Sequence, residues 1–294
     1  MTQRTKRARQ SPASLRFMRS ETGKQKKKTK VVIFLKAINF SFFMIVKEIE
    51  AKTILSKSKI MDYVVNPYIG CEHACSYCYA RFIKRFTKHK EPWGDFVDVK
   101  TNAPELLRKE LEERNRKKQR GRVWISGLCD CYQPIEEYYE ITRRCLKEIA
   151  AAKWPCTIQT KSPLVLRDID LLKNMDAEVC LTITTDNEDI KKIFETKTPT
   201  IDGRIRALEK LHKEGIKTCA MLAPLLPFDA KEIMKKLKGK ADSIIVDKMN
   251  YHYADWLYKK HKLKYALQDK WLGEKKKELI EIFKKEGICF KFLF

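Results

Sequence analysis

Short β-rich runs alternate with longer amphipathic stretches from residue 63 onward, and this alternation limits the folds open to the chain more than any other feature. Runs of this kind, each followed by a helical pattern, predict repeated βα units and a parallel sheet. We therefore predict an α/β fold in one large domain, since 294 residues with 44% apolar content can bury a core. The predicted strands are 63–65, 122–127, 156–161, 178–185, 216–223 and 243–247.

Three cysteines follow the first predicted strand within eight residues. Cys71, Cys75 and Cys78 have the spacing C-x3-C-x2-C. A tight loop can direct three thiolates at one small volume, and thiolates are the usual ligands of iron–sulfur clusters. Because a [4Fe-4S] cluster normally takes four protein ligands, three would leave one iron free to bind another molecule. The spacing therefore predicts a cluster with one open position.

Other uses of these cysteines remain open from the residues alone. A structural zinc site could combine the three thiols with His73, although zinc ligands usually come as two separated pairs. A cluster could also serve electron transfer only. Disulfides are disfavoured because ten cysteines in 294 residues lack the density of a small stapled domain, and a reducing cytoplasm is the expected location.

The residues around the cysteines carry a resemblance to a known family. The C-x3-C-x2-C spacing with Tyr77 before the last cysteine resembles the signature of the radical S-adenosylmethionine (radical SAM) superfamily. Residues 66–81 are similar to its branch grouped with spore photoproduct lyase. The resemblance implies that Cys71, Cys75 and Cys78 hold a [4Fe-4S] cluster whose open iron chelates S-adenosylmethionine. An electron from the cluster would then release methionine and a 5′-deoxyadenosyl radical, and Tyr77 would lie against the adenine.

The same resemblance refines the fold prediction. Six βα units resemble the partial, open (β/α)6 barrel of TIM type found in this superfamily, where chemistry collects at the carboxyl ends of the strands. A C-terminal extension is expected after residue 250, with a helix at 274–285. The apolar residues 288–294 could close one edge of the sheet.

Polar residues at the predicted strand ends are candidates for holding S-adenosylmethionine. Ser126, Gly127 and Asp130 resemble the superfamily's Gly-Gly-Glu position, which admits the methionine part and takes its ammonium. Lys161 could pair with the carboxylate through charge-assisted hydrogen bonds. Thr184 could contact the ribose. The alternatives are a plain glycine turn, a solvated lysine and a satisfied core hydroxyl.

Two further cysteines follow the second predicted strand. Cys129 or Cys131 could donate a hydrogen atom to a radical, as a cysteine near this strand end does in spore photoproduct lyase, and Cys131 is the candidate we name. The match fails in detail, because the position of the lyase cysteine is occupied here by Gly127. Buried, inert cysteine is the alternative for both. The remaining five read as core cysteines.

The charge is distributed unevenly along the chain. Residues 1–43 contain twelve lysines and arginines and one glutamate, hence +11 of the total +24, which leaves +13 for residues 44–294. We expect 1–43 to be a disordered tail or an over-extended start before Met44, residues 44–250 to form the core, and 251–294 to pack on it. The apolar run 31–46 is too short for a membrane span of about twenty residues, and a signal peptide is the alternative.

These observations predict a cytoplasmic radical SAM enzyme with an unidentified substrate. The expected cofactors are a [4Fe-4S] cluster and S-adenosylmethionine, and the expected partner is an acidic ferredoxin- or flavodoxin-like electron donor that docks on the basic surface. One alternative is a non-catalytic iron–sulfur or zinc protein that binds nucleic acid. Another is a radical SAM enzyme whose substrate is DNA or RNA, although a heat-adapted, ion-paired surface would also explain the charge.

Overall fold

The computed structural model describes residues 19–20, 30–35 and 43–294. In this part of the chain thirteen strands and nine α-helices are formed. The strands are β1 (Arg19–Ser20), β2 (Lys30–Leu35), β3 (Phe43–Ile49), β4 (Ser56–Lys57), β5 (Tyr63–Val65), β6 (Tyr68–Ile69), β7 (Phe96–Lys100), β8 (Val123–Ile125), β9 (Cys156–Thr160), β10 (Ala177–Thr182), β11 (Lys217–Leu222), β12 (Ser243–Val246) and β13 (Cys289–Phe292). The helices are α1 (Ala103–Arg116), α2 (Glu136–Tyr139), α3 (Ile141–Ala151), α4 (Ile169–Leu172), α5 (Glu188–Phe194), α6 (Ile201–Lys213), α7 (Ala230–Leu237), α8 (Asp255–Lys260) and α9 (Asp269–Lys285).

The main sheet has eight strands in the order β13-β12-β11-β10-β9-β8-β5-β4. Seven of them run parallel, and β4 pairs antiparallel with β5 at one edge. The six predicted strands are β5, β8, β9, β10, β11 and β12. In the sheet, each of them lies beside the one that precedes it among these six. The predicted mixed α/β fold with a parallel sheet is therefore confirmed. The strand order is linear in the described residues, from β13 to β4, as in an open rather than a closed sheet.

The core lies between this sheet and the helices that cross over it. Side chains of neighbouring strands, such as Val65, Ile125 and Ile158, are fully buried. They share one apolar cluster with the inner faces of the helices, including Leu107 and Leu208. Burial of each such side chain contributes roughly 1.5–3 kcal/mol, so the sheet and its helices stabilise each other.

A second sheet, which the sequence did not predict, joins β1-β2-β3-β7-β6. Its strand β6 is separated from the end of β5 by two residues, and β6 pairs antiparallel with β7. Strand β2 pairs antiparallel with β3, with Val32 opposite Val46. Within residues 1–43, the structure describes β1, β2 and Phe43, which is the first residue of β3. Apart from these residues, the predictions of a disordered tail or an over-extended start fall outside the described part of the chain.

The C-terminal extension contributes a strand at the edge where the sequence placed it. Strand β13 pairs in parallel with β12, with Phe290 opposite Ile244. Helix α9 packs beside α7 and buries Leu279 and Phe283. In the described part of the chain, no helix combines the length and the apolar character needed to cross a membrane.

A buried group of charges, which we call the brace network, ties the β6 strand to the loops after β8 and β9. The Glu136 carboxylate accepts hydrogen bonds from Tyr68 Oη and from Arg167 Nη2 at 2.6 Å. Asp168 accepts from Tyr132 Oη at 2.9 Å and from Arg143 Nη1 at 2.8 Å. Both acids are fully buried, whereas both arginine side chains are about one-fifth exposed, at 21% and 20%.

Candidate active site

The cysteine loop starts at the carboxyl end of β5, where two hydrogen bonds to Asn66 hold it in place. Asn66 accepts hydrogen bonds from Leu128 N at 2.6 Å and from Lys100 Nζ at 2.8 Å. After β6 the chain turns at Gly70, whose φ is +91°. A Cβ at Gly70 would lie 2.3 Å from Phe96 O, so only glycine fits beside β7 here. The second sheet thus fixes where the loop begins.

The three predicted ligand cysteines lie in two consecutive tight turns. Ala74 N donates to Cys71 O at 3.2 Å, and Cys78 N donates to Cys75 O at 3.1 Å. Cys71 and Cys75 are buried, Cys78 is partly exposed, and all three are free thiols. Burial raises the pKa of each thiol, that of Cys75 to about 12. The loop therefore holds three neutral thiols, and a bound cation would be needed to keep them as thiolates.

The donor set fits a [4Fe-4S] cluster with one iron free. Thiolates are the soft ligands that such clusters prefer, and the loop supplies three of them. The structure contains no group of three histidine, cysteine or acidic side chains, among the residues it describes, that could hold one metal ion. In a cube each thiolate binds a different iron, so its ligands surround the cluster instead of converging on one ion.

His73 lies between two of these cysteines and is only 2% exposed. Its Nε2 is 3.2 Å from Asp130 Oδ2, outside hydrogen-bond geometry, and its Nδ1 has no hydrogen-bond partner among the described residues. The imidazole therefore lies against Asp130, in the loop after β8, without a hydrogen bond to it.

Asp130 holds three elements together. Its carboxylate accepts from Tyr132 N at 2.9 Å, Thr160 Oγ1 at 2.6 Å and Lys161 N at 2.8 Å. Burial alone would raise the pKa of Asp130, but His73 and the hydrogen bonds from Thr160 and Lys161 lower it to about 2. The carboxylate thus joins the ends of β8 and β9 to the cysteine loop. Its predicted contact with the ammonium of S-adenosylmethionine stays a prediction.

Ser126 and Gly127 form the turn after β8. Ser126 has a φ of +90°, and its Oγ donates to Cys129 O at 2.5 Å and accepts from Cys131 N at 2.6 Å. A Cβ at Gly127 would lie 2.9 Å from Val64 Cγ2, so the close approach to β5 favours glycine. The Gly127 carbonyl accepts a hydrogen bond from Tyr79 Oη, which lies just after the last loop cysteine. The predicted position is therefore adjacent to the cysteine loop.

Lys161 directly follows β9 and is brought beside the cysteine loop. Its side chain is 14% exposed, and its Nζ lies 4.0 Å from Glu195 Oε1 and 5.8 Å from the centroid of the Tyr77 ring. Burial lowers the pKa of Lys161, but Cys75 and Glu195 outweigh that effect and raise it. A charged lysine is therefore maintained near the predicted cluster.

Tyr77 and Thr184 converge on a buried carboxylate that the sequence analysis missed. Tyr77 Oη donates to Glu195, and Thr184 Oγ1 donates to Glu195 Oε1 at 3.1 Å. Arg204 Nη2 lies 2.5 Å from Glu195 Oε2, and both of these ions are fully buried. We call these four residues the loop network. Burial raises the pKa of Glu195, but Arg204 and Lys161 together lower it to about 2.

One sequence signal could have found part of this network. Arg204 lies on the apolar stripe of helix α6, between Ile201, Ile205 and Leu208 at helical spacing. A charge at a core position of a helix predicts a buried partner. Glu195 carries no such signal, because it follows the end of α5 without a recognisable spacing.

The two cysteines after β8 differ in burial. Cys131 is fully buried, its amide donates to Ser126 Oγ, and its carbonyl accepts from Thr142 Oγ1 at 2.7 Å. Burial and the nearby Asp130 raise the pKa of its thiol well above the usual range. Cys129 is partly exposed and packs at the margin of the core. The prediction that Cys131 donates a hydrogen atom stays a prediction.

The C-terminal extension covers the loop from one side. Ala254, Leu257, Tyr258 and Ala266 share an apolar cluster with Cys75 and Tyr77. The ring of Tyr258 lies 4.6 Å from that of Phe194, centroid to centroid. Ser76 Oγ also donates to Phe194 O at 3.1 Å. Water is therefore excluded from this flank of the loop.

Two known proteins are similar to this chain in sequence. An uncharacterized protein of Methanocaldococcus jannaschii is 40% identical over 183 residues, 61% of this chain and 67% of its own. A Mycobacterium tuberculosis protein, also uncharacterized, is 32% identical over 60% of this chain and 54% of its own, so the chain spans about half the length of this relative.

Solved structures resemble this chain in fold over most of its length. A mutant of spore photoproduct lyase superposes with a TM-score of 0.64 at 15% identity, over 85% of this chain and 81% of its own. Streptococcus suis SuiB bound to S-adenosylmethionine matches with a TM-score of 0.53 at 14% identity, over 79% and 50%. These likenesses show a shared fold.

A family profile matches the part of the chain that contains the site. The Radical SAM superfamily profile covers residues 65–238, which is more than half of the chain and includes the cysteine loop and all the strand ends described above. The chain therefore belongs to the radical SAM superfamily of enzymes.

Proposed function

We propose that this chain binds a [4Fe-4S] cluster through Cys71, Cys75 and Cys78 and cleaves S-adenosylmethionine reductively to start radical chemistry on a substrate that remains unassigned. The observation that carries the proposal is the set of three free thiols, two of them buried, in one loop at the carboxyl edge of the parallel sheet. When bound, the cluster supplies the electron that splits S-adenosylmethionine into methionine and a 5′-deoxyadenosyl radical.

The chain's own residues bind and orient S-adenosylmethionine. Lys161 is a buried cation beside the loop, suited to the carboxylate of the methionine part. Gly127 lets the β8 turn pass close to β5, beside the cysteine loop. The hydroxyl of Tyr77 is already bonded to Glu195, so its ring is the part left to lie against adenine. Thr184 likewise donates to Glu195, and a ribose contact would use its remaining lone pairs.

Exclusion of water is the second task of the protein part. A 5′-deoxyadenosyl radical abstracts hydrogen atoms from nearby groups, so a dry, rigid site is needed to direct it. The apolar cluster formed by Phe194, Leu257 and Tyr258 around Cys75 provides such a wall. SuiB, with a similar fold, was crystallised with S-adenosylmethionine bound, which supports the cofactor assignment.

An acidic redox protein of the ferredoxin or flavodoxin type would supply the electron. The 79–90 segment follows the last loop cysteine and contains five lysines and arginines and no acidic residue. Complementary charge of this kind increases the rate of encounter with an acidic partner.

Anaerobic reconstitution with iron and sulfide tests the proposal. We expect roughly four irons and four sulfides per chain, an electron spin resonance signal that changes on addition of S-adenosylmethionine, and formation of 5′-deoxyadenosine after reduction. Cys75→Ala should abolish all three. Cys289→Ala, at an exposed cysteine on β13, is the matched control and should abolish none. A tightly bound zinc ion with no cleavage of S-adenosylmethionine would refute the proposal.

A further inference from the structure

Three tyrosine rings lie nearly parallel at the surface next to the cysteine loop. Tyr79 and Tyr251 have ring centroids 5.6 Å apart and planes inclined by 19°, and Tyr251 and Tyr253 are 6.2 Å apart and inclined by 12°. Tyr251 is 49% exposed and Tyr253 is 39% exposed. We call these three residues the tyrosine ladder. Tyrosines that pack only for stability would normally bury their rings, so this much exposed aromatic surface needs another explanation.

The ladder begins at the proposed active site. Tyr79 is the residue after Cys78, and its hydroxyl donates to the carbonyl of Gly127 in the β8 turn. Tyr251 and Tyr253 come from the start of the C-terminal extension, five and seven residues after β12 ends at Val246. A molecule that stacks on the exposed rings would therefore extend to the loop that is proposed to hold the cluster.

Positive charge accompanies the rings. The guanidinium carbon of Arg81 lies 5.2 Å from the centroid of Tyr253, and the Nε of Arg81 has no hydrogen-bond partner among the described residues. Lys84, Arg85 and Lys88 follow on the same segment. Stacked aromatic rings with arginine and lysine beside them are the arrangement that binds single-stranded nucleic acids, because bases stack on the rings and phosphates pair with the cations.

We propose that the tyrosine ladder and Arg81 form a binding platform for single-stranded nucleic acid, which delivers a nucleotide to the active site as the substrate. This inference rests on the proposed function for the chemistry but not for the binding. A duplex keeps its bases stacked on each other, so the platform should prefer unpaired bases. Because the ring faces that meet within the ladder are already stacked on each other, bases would stack on the ring surface that is left exposed.

Fluorescence anisotropy of the full chain with a labelled oligothymidylate of about twenty nucleotides tests the platform. We expect Tyr251→Ala and Tyr253→Ala each to weaken binding roughly 5- to 100-fold, since one base-aromatic stack contributes about 1–3 kcal/mol. These substitutions leave the net charge unchanged, so electrostatic binding by the basic residues 1–43 is the same in every variant. Tyr251→Phe keeps a stacking ring and should bind like the wild type.

Two controls make the outcome decisive. Tyr138→Ala removes a tyrosine that is 54% exposed on helix α2 and should leave binding unchanged. A duplex of the same sequence should bind more weakly than the single strand. Wild-type affinity in the Tyr251→Ala, Tyr253→Ala double variant, or equal affinity for duplex, would overturn the platform.

Failure of this inference can be told apart from failure of the proposed function. The binding measurement is made before and after iron–sulfur reconstitution and needs no S-adenosylmethionine. Ring-dependent binding without any 5′-deoxyadenosine would refute only the radical chemistry. Formation of 5′-deoxyadenosine with binding that ignores the rings would refute only the platform.

Discussion

Two buried glutamates, each bonded to a tyrosine hydroxyl and an arginine, have opposite electrostatic character. In the loop network the pKa of Glu195 is lowered to about 2, whereas in the brace network burial raises the pKa of Glu136. Glu195 faces two cations, Arg204 and Lys161. Glu136 has one partly exposed arginine, Arg167, which it shares with a second acid.

The comparison shows what the loop network adds at the site. Excess positive charge around Glu195 keeps that carboxylate ionised. Lys161 Nζ lies 4.0 Å from Glu195 Oε1, so it is available to pair with a second anion. The brace network has no such excess, because its two arginines are matched by buried and exposed acids. We infer that the brace network holds loops together, and that the loop network also prepares an anion site.

The largest expected effect is on the free energy of unfolding, and it differs between the two networks. Glu195→Gln should destabilise the fold by about 3–5 kcal/mol, because it leaves Arg204 fully buried without a counter-charge. Glu136→Gln should cost less than about 1 kcal/mol, since its folded environment already favours the neutral acid. Urea unfolding followed by circular dichroism measures both. Equal losses would remove the distinction between the networks.

The pH dependence of these two variants should run in opposite directions. Because the pKa of Glu195 is below its unfolded value, its stabilisation is present above pH 5 and is lost as the pH falls through about 2, on the order of 3 kcal/mol in all. The penalty of Glu195→Gln should therefore shrink from pH 6 to pH 3.

For Glu136 the sign is reversed. Its pKa is raised on folding, so its contribution is present below the unfolded value and is lost as the pH rises through the folded value. The stability of Glu136→Gln relative to the wild type should thus improve between pH 4 and pH 7. Parallel pH profiles for the two variants would contradict this assignment.

A smaller effect tests whether the loop network prepares an anion site. Lys161→Met should weaken S-adenosylmethionine binding to the reconstituted protein roughly 10- to 100-fold, which corresponds to about 1.5–3 kcal/mol for a charge-assisted hydrogen bond. Lys191→Met is the matched control: Lys191 is also buried, but its Nζ donates to Thr198 O at 2.6 Å. Equilibrium dialysis measures both affinities. An equal loss in the control would show a general packing effect.

Sequence periodicity predicted the main sheet because its signal is local. Strands β8, β9, β10, β11 and β12 are short apolar runs, and each is followed by a helical segment. The second sheet was missed because β6 and β7 are joined across the cysteine loop, and pairing at that distance leaves no periodic signal. The stretch after the cysteines forms a 3-10 helix at Tyr79–Phe86.

The site was predictable only where a motif or a strand end marked it. Lys161 and the cysteines lie at strand ends, so their proximity follows from parallel pairing. Glu195 and Tyr251 reach the site from a helix end and from the C-terminal extension, and their positions depend on tertiary packing. Sequence reasoning that follows one element at a time cannot bring such residues together.

The wall that seals the cysteine loop is made of residues from near the end of the chain. During synthesis the polypeptide emerges amino terminus first, and domains generally fold as units as they appear. Leu257 and Tyr258 are therefore synthesised after the loop with Cys75 that they cover. A truncation before residue 251 would remove this cover and leave Cys75 and Tyr77 exposed to solvent on that flank.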